Sequence, residues 1–267
     1  MLLGRVFREL YERETQMPTK ERLWGWPVFL IALWVLVLLY MPFIEKSWGK
    51  DAFSRSIILS VLIQSCIVLF LMIRAAGLQR TALMAGGIVF LSWLIEAIGA
   101  GTGLPFGAYS YTNRIWPRLL GVPLLIPFAW LMMLPPSWAV ARRLSKSNSR
   151  FIVLSALAFT AWDLFLDPQM VKWNIWVWKR PGVYFGIPWV NFVGWFLAAA
   201  LITALVRPSA LPERPLLLIY SVTWIMETIG LMVFWNLPGP AISGFIGMGV
   251  FVSLAYYYRH REKATRT

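Results

Sequence analysis

The sequence predicts an all-α fold: a polytopic integral membrane helix bundle of about eight transmembrane helices. Of the 267 residues, 59% are hydrophobic and 14% are charged, whereas a soluble domain averages about 25% charged residues. Several uncharged stretches also approach the ~20 residues that an α-helix needs to cross a bilayer. The length fits a single transmembrane domain over residues 1–267, with no soluble domain appended.

The spans follow from a hydrophobicity window moved along the chain. They are predicted at 24–43, 56–73, 82–101, 119–140, 151–167, 184–206, 215–235 and 239–258. The fourth is the weakest, because four prolines between 123 and 136 interrupt its helical hydrogen bonds. Such breaks are tolerated where neighbouring helices or a cavity satisfy the freed backbone groups. Residues 1–23 are predicted to be a polar cytoplasmic lead-in, not a cleavable signal peptide, and residues 259–267 a basic cytoplasmic tail.

The distribution of positive charge predicts the orientation. Most of the 25 Lys and Arg residues lie in the N-terminal segment, in the C-terminal tail and in the loops after even-numbered spans. The positive-inside rule therefore puts both termini of a cell-membrane protein in the cytoplasm. The net charge of +13 reflects this bias and contact with anionic lipid, and it gives no reason to predict nucleic-acid binding. The single cysteine, Cys66, excludes a disulfide within the chain.

Two pairs of similar segments suggest an internal repeat. SWLIEAIG at 92–99 matches TWIMETIG at 223–230, and GVPLLIPFAW at 121–130 matches GIPWVNFVGW at 186–195. The spacing predicts a two-helix unit of roughly 65 residues whose first helix carries an acid. Apolar chains also produce such matches by chance, so the alternative is no repeat. With a repeat, Glu96, Asp163 and Glu227 occupy related positions, all toward the outer face.

Acidic residues within the spans are the main candidates for chemistry. An ionised Asp at mid-bilayer costs ~2.5–3.5 kcal/mol, so these carboxyl groups must be neutral, paired or in a wet cavity. Asp163 and Asp167 are four residues apart, on one helical face. Neighbouring carboxylates in a dry site cannot both ionise easily, so at least one is expected to keep its proton and to serve as a general acid. Alternatively, Asp167 is a solvated interfacial residue before Pro168, and Glu227 makes a structural hydrogen bond.

Aromatic residues are the second feature, since the chain has 16 tryptophans. Many suit the aromatic belt of a membrane protein. The cluster around residues 162–195 is denser than a belt requires, and aromatic faces stabilise cations by roughly 0.5–2 kcal/mol. A proton donor beside such faces is what protonation of an alkene needs. Ordinary packing is the alternative for any single tryptophan.

The segment GAGTGLPFGAYSYTNRIW at 99–116 is predicted to be a re-entrant or cavity-lining loop in which Tyr109 and Tyr111 offer hydroxyl groups. It lacks the Gly-x-x-x-x-Gly-Lys pattern of a phosphate-binding loop, and no Rossmann glycine fingerprint is present. The single histidine, His260, lies in the tail, so a histidine-ligated iron centre is excluded. The expected chemistry is acid–base work without cofactor or metal.

Four segments together resemble the membrane carotenoid biosynthesis family that contains the carotenoid 1,2-hydratases. They are EAIGAGTGLPFGAYSYT, GVPLLIPFAW, WDLFLDPQM and WVWKRPGVYFGIPWVNFVGW, and the similarity runs from about 90 to 200. The resemblance implies addition of water to the terminal 1,2 double bond of a linear carotenoid ψ-end. It implies no cofactor, and it leaves the carotenoid chain length open. Carotenoid, water and membrane lipid are the expected partners, with other carotenoid-pathway enzymes as further candidates.

This activity suggests roles for the candidate residues. We expect Asp163 to be the proton donor, with Asp167 or Glu96 as its partner and water-orienting base. Asn191 and Tyr109 are expected to support them by hydrogen bonding. Tryptophan side chains are expected to line the cavity, and those predicted are Trp162, Trp178, Trp189 and Trp195.

Other functions stay open from the sequence. A carotenoid cyclase uses the same protonation, but the Pro-Glu-x-Glu motif of intramembrane cyclases is reduced here to PER at 212–214. A membrane prenyltransferase would need a second Asp-rich segment beside DLFLD. A proton-coupled transporter uses intramembrane acids and broken helices, but this chain has no intramembrane Lys, Arg or His relay. A carotenoid-binding scaffold without catalysis is the fourth alternative.

Overall fold

A computed structural model describes the backbone of residues 19–264 and the side chains of residues 28–258. Most of the predicted polar lead-in, and the end of the predicted basic tail, lie outside the described residues. Within them the fold is a helix bundle, as predicted. Its seven α-helices are α1 (Thr19–Ala76), α2 (Leu78–Thr102), α3 (Leu125–Leu144), α4 (Asn148–Lys172), α5 (Trp189–Val206), α6 (Glu213–Ile229) and α7 (Pro238–Ala264).

Six of these helices, all except α3, are long and apolar enough to cross a membrane within the described residues. The 58-residue α1 contains a non-helical residue, Gly49, with φ 77° and ψ −176°, a conformation that glycine adopts without steric cost. The spans predicted at 24–43 and 56–73 lie on either side of it. The count of about eight spans stays a prediction.

Helix α3 occupies the centre of the bundle. Every residue from Trp130 to Ala141 is buried, and the helix packs against α1, α2, α4, α6 and α7. The prolines were predicted to interrupt the span at 119–140. The helix begins only at Leu125, but Pro135 and Pro136 lie inside it without ending it. A helix that is hydrophobic on all sides is a buried helix. Other helices of the bundle surround α3 in this way.

Two short two-stranded sheets interrupt the helical pattern. Strand β1 (Tyr109–Tyr111) pairs antiparallel with β4 (Trp176–Trp178), and β2 (Arg118–Leu119) pairs with β3 (Val122–Pro123). The β2–β3 pair occupies the first part of the span predicted at 119–140. A π-helical segment, Gly230–Phe234, continues α6; such segments frequently occur at functional sites.

Close packing of α5 against the loop after α2 depends on Gly194. A Cβ atom at this position would lie 2.7 Å from the Pro105 carbonyl oxygen and 2.9 Å from the Phe106 ring. The contact holds the loop that leads into β1. The loop therefore approaches the bundle at a distance that only glycine permits.

We expect Gly194→Ala to lower the thermal midpoint of the detergent-solubilised protein, because overpacking costs about 1–3 kcal/mol. Gly86→Ala is the matched control, since Gly86 is also helical and a Cβ there would meet nothing within 4 Å. Removing a helical glycine at such a site stabilises by roughly 0.5–1 kcal/mol. Equal midpoints for the two variants would show that the Gly194 contact is not needed.

Candidate active site

The β1–β4 ribbon directs four aromatic side chains toward the bundle. Successive residues of a strand face opposite sides, and in this ribbon Ser110 and Val177 are exposed while the residues beside them are more buried. The register pairs Tyr109 with Trp178 and Tyr111 with Trp176. The ring centroids of these pairs are 5.3 and 6.0 Å apart. The ribbon thus forms an aromatic wall at one end of the bundle.

Helices α4 and α5 supply a cluster of two carboxyl groups and one amide. Asp163 and Asp167 lie one helical turn apart on α4 and are 0% and 1% exposed, and Asn191 of α5 is 1% exposed. The Asn191 Nδ2 group donates to Asp163 Oδ2 at 2.9 Å and to Asp167 Oδ2. An amide nitrogen has two donor hydrogens, so Asn191 bridges both carboxyl groups.

The remaining oxygens of the two aspartates differ in their partners. The Trp176 indole N–H of β4 donates to Asp167 Oδ1 at 2.9 Å. Asp163 Oδ1 is buried and has no hydrogen-bond partner among the residues that the structure describes. Leaving a buried acceptor unpaired is costly, and the cost is greatest for a charged carboxylate. The donors that hold the two aspartates, Asn191 and Trp176, are therefore neutral, and Asp163 Oδ1 is the oxygen that accepts no hydrogen bond from the described residues.

Glu96 of α2 is the third buried carboxyl group, at 4% exposure. The hydroxyls of Tyr109 and Tyr111 donate to its Oε2 atom at 2.6 and 2.7 Å. The Trp130 indole N–H of α3 donates to Oε1 at 3.3 Å. Burial, and then the nearby Glu96 carboxyl, raises the pKa of both tyrosines. Their hydroxyls consequently stay protonated at neutral pH and remain donors to Glu96.

Glu96, Asp167 and Asn191 line one cavity, which we call the carboxyl cavity. Its empty volume is about 660 Å³, including space open to the outside. Aromatic side chains form much of the wall, and those lining it are Phe106, Tyr109, Tyr111, Trp130, Trp176, Trp178 and Trp195. The Trp130 and Trp195 rings stack at 5.0 Å with an interplanar angle of 17°. The cavity thus combines carboxyl groups with aromatic faces.

The structure separates the predicted residues into three groups. Asp167, Glu96, Asn191, Tyr109, Trp178 and Trp195 line the carboxyl cavity. Asp163 is fully buried, accepts a hydrogen bond from Asn191 and is not among the residues that line this cavity. Trp162, next to Asp163 in sequence, lines a second cavity instead. Asp167 is not the solvated interfacial residue that Pro168 suggested as an alternative, because it is buried and α4 continues to Lys172.

Trp189 lies apart from all of these. It is 62% exposed and packs beside Tyr184 and Phe192 at the first residue of α5. Successive residues of an α-helix are about 100° apart, so a residue two positions before Asn191 points to nearly the opposite side. The structure therefore places Trp189 on the outer surface and not at the cavity, where the sequence led us to expect it.

Specific contacts of Trp130 and Trp176 were not predicted. Each indole N–H donates to a cavity carboxyl group, one to Glu96 and one to Asp167. The alternating patterns Tyr-x-Tyr at 109–111 and Trp-x-Trp at 176–178 are typical of a strand with one aromatic face. This signal could have identified the ribbon and with it the orientation of Trp176. Trp130 carried no comparable signal. It only aligned with Trp195 in the suggested repeat, and the structure stacks these two rings on each other.

Glu227, the third acid of the suggested repeat, is separate from the carboxyl cavity. Gln169 Nε2 donates to Glu227 Oε2 at 2.9 Å, and both residues line the second cavity. The hydrogen bond agrees with the alternative interpretation of Glu227. The repeat itself stays a prediction.

Comparison with known proteins decides the family. Residues 56–256 match the family described as Carotenoid biosynthesis protein. The chain belongs to this family. As a member of the carotenoid biosynthesis proteins, it shares 32% identity over 133 residues with the bisanhydrobacterioruberin hydratase of Haloarcula japonica. That match covers 48% of this chain and 43% of the relative, so less than half of the relative's length is matched. No solved structure matches the chain.

Proposed function

We propose that this carotenoid biosynthesis protein is a hydratase that adds water to the terminal 1,2 double bond of a linear carotenoid ψ-end. The carboxyl cavity supports this function most directly, because it brings Glu96 and Asp167 to one aromatic-walled space. The similarity to a carotenoid hydratase is consistent with it. Hydration of an alkene needs a proton donor, stabilisation of a cation and a base that activates water.

The Asp163–Asp167 pair supplies the proton. Two carboxyl groups bridged by Asn191 in a buried site share one proton more readily than they carry two charges. Asp167 delivers it, and not Asp163 as we expected from the sequence, because Asp167 lines the carboxyl cavity and Asp163 does not. Asp163 has an Oδ1 atom without a partner within the described residues. It holds the shared proton and passes it to Asp167. The proton adds to the less substituted alkene carbon, and the π electrons form the new C–H bond.

The aromatic wall stabilises the tertiary carbocation that results. Indole and phenol faces attract a cation through their negative π surfaces, by roughly 0.5–2 kcal/mol each. Trp195 and Trp130 offer stacked indoles, and Tyr109 and Trp178 of the ribbon line the same cavity. Exclusion of bulk water from such a site prevents uncontrolled side reactions of the cation.

Glu96 serves as the base that activates water. Its carboxylate accepts from three donors and lines the same cavity as Asp167. A water molecule held by Glu96 adds its oxygen to the cation while its proton passes to Glu96, which gives a tertiary alcohol. Return of one proton from Glu96 to the aspartate pair completes the cycle, so the net reaction consumes only substrate and water.

The surroundings of the enzyme follow from the same proposal. We infer a multi-pass protein of the cell membrane with about eight spans and cytoplasmic N- and C-termini. The carboxyl cavity then lies toward the outer face, where the loops carry fewer positive charges. Lipid surrounds the bundle, and enzymes that make the linear carotenoid or modify its alcohol are candidate partners.

Expression in a host that accumulates a linear carotenoid tests this function. We expect pigments whose mass increases by one water molecule for each end that reacts, measured by mass spectrometry of extracted pigments. Cells carrying the empty vector are the control. Unchanged mass with altered absorption would indicate cyclisation and contradict hydration, and unchanged pigment would contradict any catalytic action on that carotenoid.

A further inference from the structure

A second cavity adjoins the carboxyl cavity. It lies between α1, α4, α6 and the π-helical segment and has an empty volume of about 810 Å³, including space open to the outside. Its wall is largely apolar, with Trp34, Leu38, Met226 and Phe234 among its lining residues. The function proposed above does not use this space.

The two cavities share part of their walls. The residues that line both are Ile57, Val61, Met132, Leu166 and Met170. Two of the five are methionines, whose unbranched side chains adapt readily to a ligand. A single layer of apolar side chains therefore separates the space beside Trp34 from the space beside Asp167.

The second cavity also reaches the outer surface of the bundle sideways. Leu39 of α1, Ile229 of α6 and Phe234 of the π-helical segment line it and are 42%, 39% and 42% exposed. These residues belong to helices that are long and apolar enough to span a membrane. Surfaces of this kind contact lipid hydrocarbon, so the opening faces the bilayer between α1 and the π-helical segment.

The polar groups of the second cavity are largely used within the protein. Gln169 donates to Glu227, and Gln64 donates to the Met132 carbonyl oxygen and to Met133 Sδ. The indole N–H groups of Trp162 and Trp173 also belong to lining residues and have no partner within the described residues, but two donors are few for a ligand with many hydrogen-bonding groups. A hydrocarbon chain, which needs none, suits this wall.

We propose that the second cavity binds the polyene chain of the carotenoid. The chain enters sideways from the lipid between α1 and the π-helical segment, and its end group reaches Glu96 and Asp167 through the shared wall. This inference rests on the proposed function, since the reacting end must lie in the carboxyl cavity. An end group fits a space of the size of the carboxyl cavity, whereas the rest of a long polyene needs further apolar space, which the second cavity offers.

Filling the second cavity tests the proposal. Leu38→Trp places a larger side chain in it, and the matched control Leu36→Trp lies two residues away on α1, is 52% exposed as leucine and lines neither cavity. Both changes are made in the Asp167→Asn background, so that bound pigment is not converted. The protein is purified from a host that accumulates a linear carotenoid, and pigment absorbance per protein is measured.

We expect Leu38→Trp to retain at least tenfold less pigment than Leu36→Trp. Equal retention by the two variants would overturn the inference. So would the absence of pigment on the protein that carries Asp167→Asn alone. If Leu38→Trp does not fold, Met226→Phe fills the same cavity from α6, and Met232→Phe, at a residue 42% exposed, is its control. Because this readout needs no turnover, pigment binding by the Asp167→Asn protein, together with no gain of water by the protein that keeps Asp167, would sustain the binding site while contradicting the hydratase function.

A second readout separates chain binding from chemistry. In proteins that keep Asp167, Leu38→Trp is expected to slow hydration of a long carotenoid at least tenfold. The rate with a short isoprenoid that carries the same end group is expected to change less than twofold, because its chain does not reach the second cavity. Equal slowing of both substrates would overturn the assignment of this cavity to the chain.

Discussion

Replacement of Asp167 by asparagine is expected to lower the rate of hydration roughly 10²–10⁴-fold, the contribution typical of a general acid. Asparagine keeps the size of the side chain and can still pair with Trp176 or Asn191, but it cannot donate a proton to an alkene. The rate is measured as water-adduct formed per protein from a linear carotenoid in membranes. Asp163→Asn is expected to show a similar loss, since the pair shares the proton.

The control for this prediction is Asp51→Asn, which changes an exposed aspartate outside the carboxyl cavity. It is expected to keep the parent rate within twofold. The amount of Asp167→Asn protein in membranes and its elution in size-exclusion chromatography are compared with the parent, so that misfolding is recognised. Parent-like hydration by folded Asp167→Asn protein would remove Asp167 from the role of proton donor.

Glu96→Gln is expected to separate protonation from water capture. Glutamine retains partners for Tyr109 and Tyr111 but cannot take the proton of the attacking water. The carbocation should then form and lose a proton again, which regenerates an alkene. In deuterium oxide we expect recovered carotenoid to contain deuterium at its end group, while formation of the alcohol falls roughly 10²-fold or more. Mass spectrometry of recovered substrate and product measures both.

The same labelling experiment distinguishes the two acids. Asp167→Asn should incorporate no deuterium, because it never forms the cation. Glu213→Gln is the control for Glu96→Gln, since Glu213 lies outside the cavity in an ion pair with Arg143. Deuterium incorporation by Asp167→Asn together with none by Glu96→Gln would reverse the assigned roles.

Helical periodicity accounts for what the sequence could predict of the site. The four-residue spacing of Asp163 and Asp167 places them on one helical face, and the structure brings both against Asn191. Their position within an apolar span left three possibilities open: neutral carboxyl groups, paired ones, or a wet cavity. The bundle of helices long and apolar enough to span a membrane followed from composition, because so few charged residues cannot cover a soluble surface of this size.

Tertiary packing accounts for what the sequence could not predict. The side of α5 that faces inward depends on where that helix begins, and a start at Trp189 turns this residue outward while Asn191 points in. The ribbon that orients Trp176 joins two strands that are far apart in the sequence, with Tyr109 paired with Trp178 in the register, and no local signal specifies such pairing. The division of the interior into two cavities likewise depends on side chains from several helices.

Incorporation of oxygen from isotopically labelled water tests the central claim most directly. Purified protein is incubated with a linear carotenoid in water enriched in oxygen-18, and the alcohol is analysed by mass spectrometry. The account predicts one labelled oxygen for each hydrated end with the parent and with Asp51→Asn, and no alcohol above background with Asp167→Asn. An alcohol with unlabelled oxygen, or labelled alcohol formed by Asp167→Asn at the parent rate, would contradict it.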